Sequence, residues 1–319
     1  MKEKDKAIHK TSIGGQAVME GVMMRGPKEI AVAVRKPDNE IIVEKRPVAS
    51  ALQKSKILKL PIIRGCISFF ESMVIGVKAL MFSAEFFDIE AEEEMESKFD
   101  KWLEEKLGDR LKDVVIYFSV IMAIIFSVAL FFMLPNFIAE LIAKLTNVAV
   151  EGTARTLIEG AIRISIFIVY LLLVSQMKDI KRVFMYHGAE HKTITTYEKG
   201  LELTVENAKE NSRFHPRCGT SFLIFVMVIS IIVFLIIPKG LTWYERAIFK
   251  ILLLPVVAGI SYEVIKFAGR HDNLFTRIIS KPGMWLQYLT TREPDDSQLE
   301  VAIASLKAVM TGNKEDDKW

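Results

Sequence analysis

The 319-residue chain contains five histidines, and two of them stand in His187-Gly188-Ala189-Glu190-His191, an H-x-x-E-H pattern. On a helix, residues four apart lie about 40° apart around the axis, so both imidazoles face one metal ion. Glu190 stands beside them, where a carboxylate acts as general base toward water activated by the metal. The pattern is the inverted zinc-protease signature. Glu198, seven residues past His191, returns to the same face as a candidate third ligand. The blander reading is a pair of surface histidines beside a glutamate on a basic loop.

A second cluster, His215-Pro216-Arg217-Cys218-Gly219, has the shape of a zinc knuckle with His in the first ligand place. Pro fixes one φ angle and Gly permits the tight turn that aims both ligands inward. His187, His191, His215 and Cys218 together would complete a tetrahedral site. A closed site of that kind is structural, whereas a catalytic one keeps a position open. The alternative use of the second cluster is a turn capping the apolar run that follows it. Five further residues are candidates by position: Glu20 and Arg25 among glycines and methionines, Arg64 between Pro61 and Gly65, Glu263 inside an apolar run, and His271 just after that run. Glu20 and Arg25 could form a buried ion pair or offer a substrate-facing carboxylate. Arg64 could snorkel or bind lipid phosphate, and Glu263 could equally bond a Tyr or Arg.

These residues need a scaffold, and composition indicates which kind. Hydrophobic residues make up 51% of the chain beside 25% charged ones, and mean hydropathy is +0.27. Charged and very apolar stretches must therefore alternate, as in a membrane protein with substantial soluble parts. The 42 Lys+Arg nearly balance the 39 Asp+Glu, which excludes a nucleic-acid coat as the main theme. Cys66 and Cys218 read as thiols in a reducing compartment rather than a disulfide framework. The polar start, Met1 to Ser12, lacks the apolar core of a cleavable signal.

Four runs predict membrane spans: Val114 to Leu134, stopped by Pro135; Leu157 to Met177, with Glu159 and Arg163 four apart on one face; Phe222 to Pro238; and Ala247 to Ala268. The stretch between the second and third carries eight basic residues from Lys178 to Arg217, against two in each of the flanking connections. The positive-inside rule then places both termini and the central loop in the cytoplasm, with the chain multi-pass in the inner membrane.

Outside the spans, Glu29 to Val48 predicts a β-hairpin turning at Lys36-Pro37-Asp38-Asn39. The Gly/Met-rich stretch before it predicts close turns. Residues 57–87 carry Arg64, Glu71 and Lys78 on one stripe, which predicts an amphipathic helix on the membrane surface ahead of a fifth span or a re-entrant segment. The acidic run Glu90 to Glu96 predicts a solvated helix face, and Asp295 predicts the cap of a C-terminal amphipathic helix. The fold class is thus a mainly α membrane protein with about four transmembrane helices. A β-hairpin, membrane-surface helices and a cytoplasmic metal-site loop complete it. Its predicted divisions are 1–56, 57–113, 114–268 with the loop 178–220, and 269–319. No internal repeat is evident, so transport has little support.

Four stretches resemble signatures of the YqhQ-like bacterial membrane proteins. They are Gly14 to Pro27 (GGQAVMEGVMMRGP), Tyr186 to Lys192, His215 to Ser221, and Leu289 to Pro294. The resemblance covers nearly the whole chain and implies a multi-pass membrane protein of a family classed as of unknown function, often labelled metal-dependent enzymes. Two functional readings follow. The first is a zinc-type site at the cytoplasmic face that hydrolyses a lipid or peptide substrate, with Glu190 as base. The second is a non-catalytic regulator or scaffold with a structural metal, bound to membrane lipid and to another membrane protein such as a translocation or proteolysis machine.

Overall fold

The computed structural model describes residues 9–53, 55–87, 111–146, 152–238, 240–271 and 273–319; the acidic run at 90–96 lies outside them. Four strands form one antiparallel meander in the order β1 (Gly14–Val18), β2 (Gly21–Arg25), β3 (Glu29–Arg35) and β4 (Ile41–Pro47). β3 and β4 are the hairpin expected from the alternation, and Asn39 takes its left-handed position at φ 68°. The preceding stretch makes the expected close turns at Met19-Glu20 and at Gly26 to Lys28, where Gly26 N donates to Glu29 O at 2.8 Å, while Gly14, Gly15 and Gly21 lie within strands. β1 and β2 form a second hairpin through Met19 and Glu20, and a Cβ at Gly21 would overlap the Ala33 carbonyl across the ladder. Ile30 to Val34 are buried throughout β3, so this strand is covered on both faces. β4 forms the edge and carries Glu44, Lys45 and Arg46, charges that discourage further pairing.

Ten helices follow among the described residues: α1 (Ile63–Ala84), α2 (Leu111–Val128), α3 (Leu134–Thr146), α4 (Gly152–Val174), α5 (Lys178–Glu198), α6 (Val205–Lys209), α7 (Gly219–Phe234), α8 (Trp243–Arg270), α9 (Leu274–Thr290) and α10 (Asp296–Val309). The chain divides into two compact units. One comprises Met1–Phe86, Leu171–Ile229 and Pro255–Trp319; the other comprises Phe87–Tyr170 and Ser230–Leu254. In the first, α10 lies on β2 and β3 and α5 packs against α10 and β1. Their shared core includes Val22, Met24, Ala31, Tyr186, Leu299 and Leu306. The C-terminal helix is capped as expected: Asp295 accepts from Gln298 N at 2.9 Å, and the Gln298 side chain answers at Asp295 N.

Four helical segments are long and apolar enough to cross a membrane: Ile63–Ala84, Phe118–Thr146, Gly152–Val174 and Trp243–Arg270. The chain is a membrane protein whose apolar helices contact lipid. Three details depart from the sequence reading. Ile63–Ala84 is one continuous 22-residue apolar helix, and two charges of its stripe have partners: Arg64 pairs with Glu263 and Glu71 with Arg25. The run at 222–238 gives only the 16-residue α7, because the helix ends at Phe234. Pro135 does not stop its helix either. A π-helical turn, Ala129–Met133, absorbs the missing N–H and α3 continues to Thr146.

Candidate metal centre

α5 presents His187 and His191 one turn apart, with ring centroids 4.4 Å from each other. Each ring has its Nδ1 tied to a backbone carbonyl: His187 donates to Thr290 O at 2.8 Å and His191 to Arg213 O at 2.6 Å. A carbonyl only accepts, so each Nδ1 carries a proton, and the two Nε2 atoms are the positions left to face a metal. His187 Nε2 faces Cys218 Sγ at 3.2 Å. His191 Nε2 is buried and has no hydrogen-bond partner among the described residues. One ligand atom from each of His187, His191 and Cys218 lies within 4.8 Å of the others. An orphaned imidazole nitrogen beside a second imidazole and a thiol is a donor set suited to zinc. The carbonyls behind both rings are the outer supports that such a site uses.

Burial opposes ionisation of the Cys218 thiol, yet His191 and His187 outweigh it and hold its pKa well below the ordinary value. Burial likewise opposes protonation of His187, but Cys218 beside it carries the imidazole up to about 9. Glu190 is buried and its pKa is raised by that burial, while its Oε1 accepts from Gly15 N at 2.9 Å. Glu190 thus stands next to the ligand group, positioned by the first strand.

His215 and Glu198, the other two candidate ligands, turn toward each other. His215 Nε2 lies 3.3 Å from Glu198 Oε2, and Glu198 also accepts from Thr11 N at 2.8 Å and from Arg217. These bonds leave three residues in the ligand group among those described. Gln287 clamps His215 by both ends of its amide, accepting from His215 N at 2.9 Å and donating to His215 O at 2.8 Å.

The remaining candidates lie elsewhere in the same unit. Glu20 does not pair with Arg25: it binds Arg182 and accepts from Tyr186 OH at 3.1 Å, whereas Arg25 reaches Glu71 at 3.7 Å. Arg64 Nε donates to Glu263 at 2.7 Å, so each satisfies the other. Exposed His271 stacks on Phe267 and bonds its carbonyl at 3.0 Å.

Residues 60–312 match the family described as "Protein of unknown function (DUF1385)". The chain belongs to this family. It is 36% identical over 302 residues to "Uncharacterized protein YqhQ" of Bacillus subtilis (strain 168), an alignment spanning 93% of this chain and 92% of that protein. No solved structure matches. All four stretches that resemble the family's signatures meet at the centre. Gly15 donates to Glu190, the HGAEH and HPRC segments supply the ligand atoms, and Thr290 to Arg292 form the strap above them. Gly188 is the residue whose role the spacing does not reveal. A Cβ there would overlap the Arg292 carbonyl, while Arg292 N donates to Phe184 O at 2.8 Å. Its place between two candidate ligands is the available signal.

Proposed function

We propose that the chain is a membrane-bound, metal-dependent hydrolase acting at the cytoplasmic face of the inner membrane on a lipid or peptide substrate. A divalent ion, zinc by donor chemistry, would be held by His187, His191 and Cys218. The observation that carries this reading is the group of three ligand atoms containing the unpartnered His191 Nε2. Three protein ligands leave a coordination position open, the arrangement of catalytic zinc sites. When bound, the ion supplies Lewis acidity at a substrate carbonyl or phosphoryl oxygen and makes water a better acid. Glu190 takes the proton from the attacking water and returns it to the leaving group; its raised pKa suits both directions. Thr290 and Arg213 hold the two imidazoles in one tautomer and orientation.

The test is metal analysis of the full-length protein purified in detergent. It should hold about one zinc ion per chain, lost in His187→Ala and Cys218→Ala and retained in Glu190→Gln. A metal-free protein from zinc-replete cells would sink the proposal. Glu190→Gln also separates the scaffold reading, which the hydrogen bond from Gly15 to Glu190 favours. An enzyme keeps its metal but loses cellular function in that variant, and a scaffold keeps both.

A further inference from the structure

The second unit buries more positive charge than its carboxylates neutralise. Among its described residues Glu159 is the one buried carboxylate, beside buried Arg163, Arg246 and Lys250. Including the partly exposed Arg155 and Glu140 keeps the same imbalance, four cations against two carboxylates. Glu159 is already saturated: Lys250 Nζ lies at 2.5 Å, Arg155 Nε at 3.0 Å and Arg246 at 3.7 Å. Arg163 has no carboxylate partner among the described residues. Its Nε donates to Phe131 O at 2.9 Å, the carbonyl that Pro135, four residues on, has no N–H to reach. Its Nη1 donates to Ser230 at 3.0 Å, and the rings of Phe132 and Phe234 lie against its guanidinium.

Arg246 is the least satisfied member. One terminal nitrogen makes a long bond of 3.5 Å to Thr156 Oγ1, and its buried Nε has no hydrogen-bond partner among the described residues. A buried guanidinium with an unused donor, in a group with surplus positive charge, is strongly unfavourable unless an anion completes it. Its position indicates which anion. Arg246 lies in the first turn of α8, where the helix N-terminus adds positive potential. Trp243 and Tyr244 in the same turn are about half exposed, as aromatic side chains are at the headgroup level of a bilayer. The cluster opens to the surface through Arg155, whose side chain is 20% exposed.

We infer that this cluster binds a phosphate group between Arg155 and Arg246, either the headgroup of an anionic phospholipid or free phosphate. The guanidinium forks supply charge-assisted donors, and because Lys250 shares Glu159 with Arg155 and Arg246, this one carboxylate is spread over three cations.

The experiment is thermal unfolding and native mass spectrometry of the full-length protein in detergent. Three additions are compared: phosphatidylglycerol, a phosphate-free glycosyl diacylglycerol, and inorganic phosphate. Phosphatidylglycerol should raise Tm and stay bound where the glycolipid does not. Arg246→Gln should weaken that binding about tenfold, and Glu159→Gln should strengthen it by removing the opposing carboxylate. Inorganic phosphate reproducing the shift supports the site with a free anion as ligand; a response to the phospholipid alone supports the headgroup. Equal behaviour of phospholipid and glycolipid, with no effect of phosphate, overturns the inference. So does unchanged binding in Arg246→Gln. Where Arg246→Gln fails to fold, partly exposed Arg155→Gln probes the same pocket from its open side, and undiminished binding there overturns the inference equally.

Discussion

In the sheet-bearing unit, His187 and His191 are fixed from behind by the carbonyls of Thr290 and Arg213. In the other unit, Glu159 is fixed by three side-chain cations. Backbone carbonyls on packed elements move little, so the two candidate ligand nitrogens are held in fixed orientation. Side-chain cations have rotamer freedom and can regroup around a changed charge. A site built the first way is sensitive to backbone placement; one built the second way is sensitive to net charge.

The largest effect should therefore come from a backbone collision at the centre. Gly188→Ala drives a methyl into the carbonyl of Arg292, a residue whose N–H is held by Phe184 O. The loss should be about 3 kcal/mol or more in denaturant unfolding, with metal content falling alongside. Gly160→Ala in the other unit meets only the Ile231 side-chain atoms Cγ1 at 2.5 Å and Cδ1 at 2.6 Å. Those atoms can rotate away, so about 1 kcal/mol is expected. Equal losses in the two variants would break the contrast.

Charge changes should rank next, and there the second unit is the sensitive one. Glu159→Gln leaves three cations around an amide and should cost about 3 kcal/mol. Lys250→Met removes one surplus charge, keeps the volume, and leaves Glu159 with Arg155 and Arg246. It should fall within about 1 kcal/mol of wild type by the same unfolding measurement. A large loss in Lys250→Met alone would show that its pairing, rather than the net charge, governs the cluster.

The two regions also differ in how legible they are in the sequence. His187 and His191 are four apart on a single helix, so their shared face follows from helical geometry alone. The β3–β4 hairpin and the cap at Asp295 are similarly local. The partners that decide the rest come from far along the chain. Periodicity places Glu198 on the ligand face, but Arg217 and the Thr11 N–H draw it to His215. Glu20 and Arg25 are near in sequence yet lie at opposite ends of an extended strand, about 16 Å apart by strand rise. Pro135 reads as a helix stop in isolation, yet the carbonyl it frees is answered by Arg163, 32 positions from Phe131. Periodicity ranks faces; it does not name distant partners.

Acid should separate the pieces of the centre at a smaller scale. Burial pushes the Glu198 carboxylate up, but His215, Arg217 and the Thr11 N–H more than offset it and hold its pKa below the ordinary 4.5. A carboxylate depressed on folding stabilises the native state at every pH above its unfolded value. That contribution disappears as pH falls below about 4.5 and through the folded value. Unfolding midpoints followed from pH 7 to pH 3 should therefore drop in wild type and drop less steeply in Glu198→Gln. Parallel curves would mean that Glu198 carries no linkage and that its bonds form equally with the protonated acid.

The smallest effect should come from a helix cap in the same unit, at a residue that is not itself a candidate ligand. Asp295 caps α10 through Gln298 N at 2.9 Å, and α10 in turn covers β2 and β3. Asp295→Ala removes one carboxylate acceptor from a helix start and should cost about 1 kcal/mol. The core residues Leu299 and Leu306 remain buried whether or not the cap is present. Metal content should stay at the wild-type level, because Thr290 and Arg213, not α10, hold the imidazoles. Metal lost in step with this small destabilisation would mean that the ligand nitrogens depend on the overall stability of the unit, and the contrast between a backbone-fixed centre and a charge-tuned cluster would no longer hold.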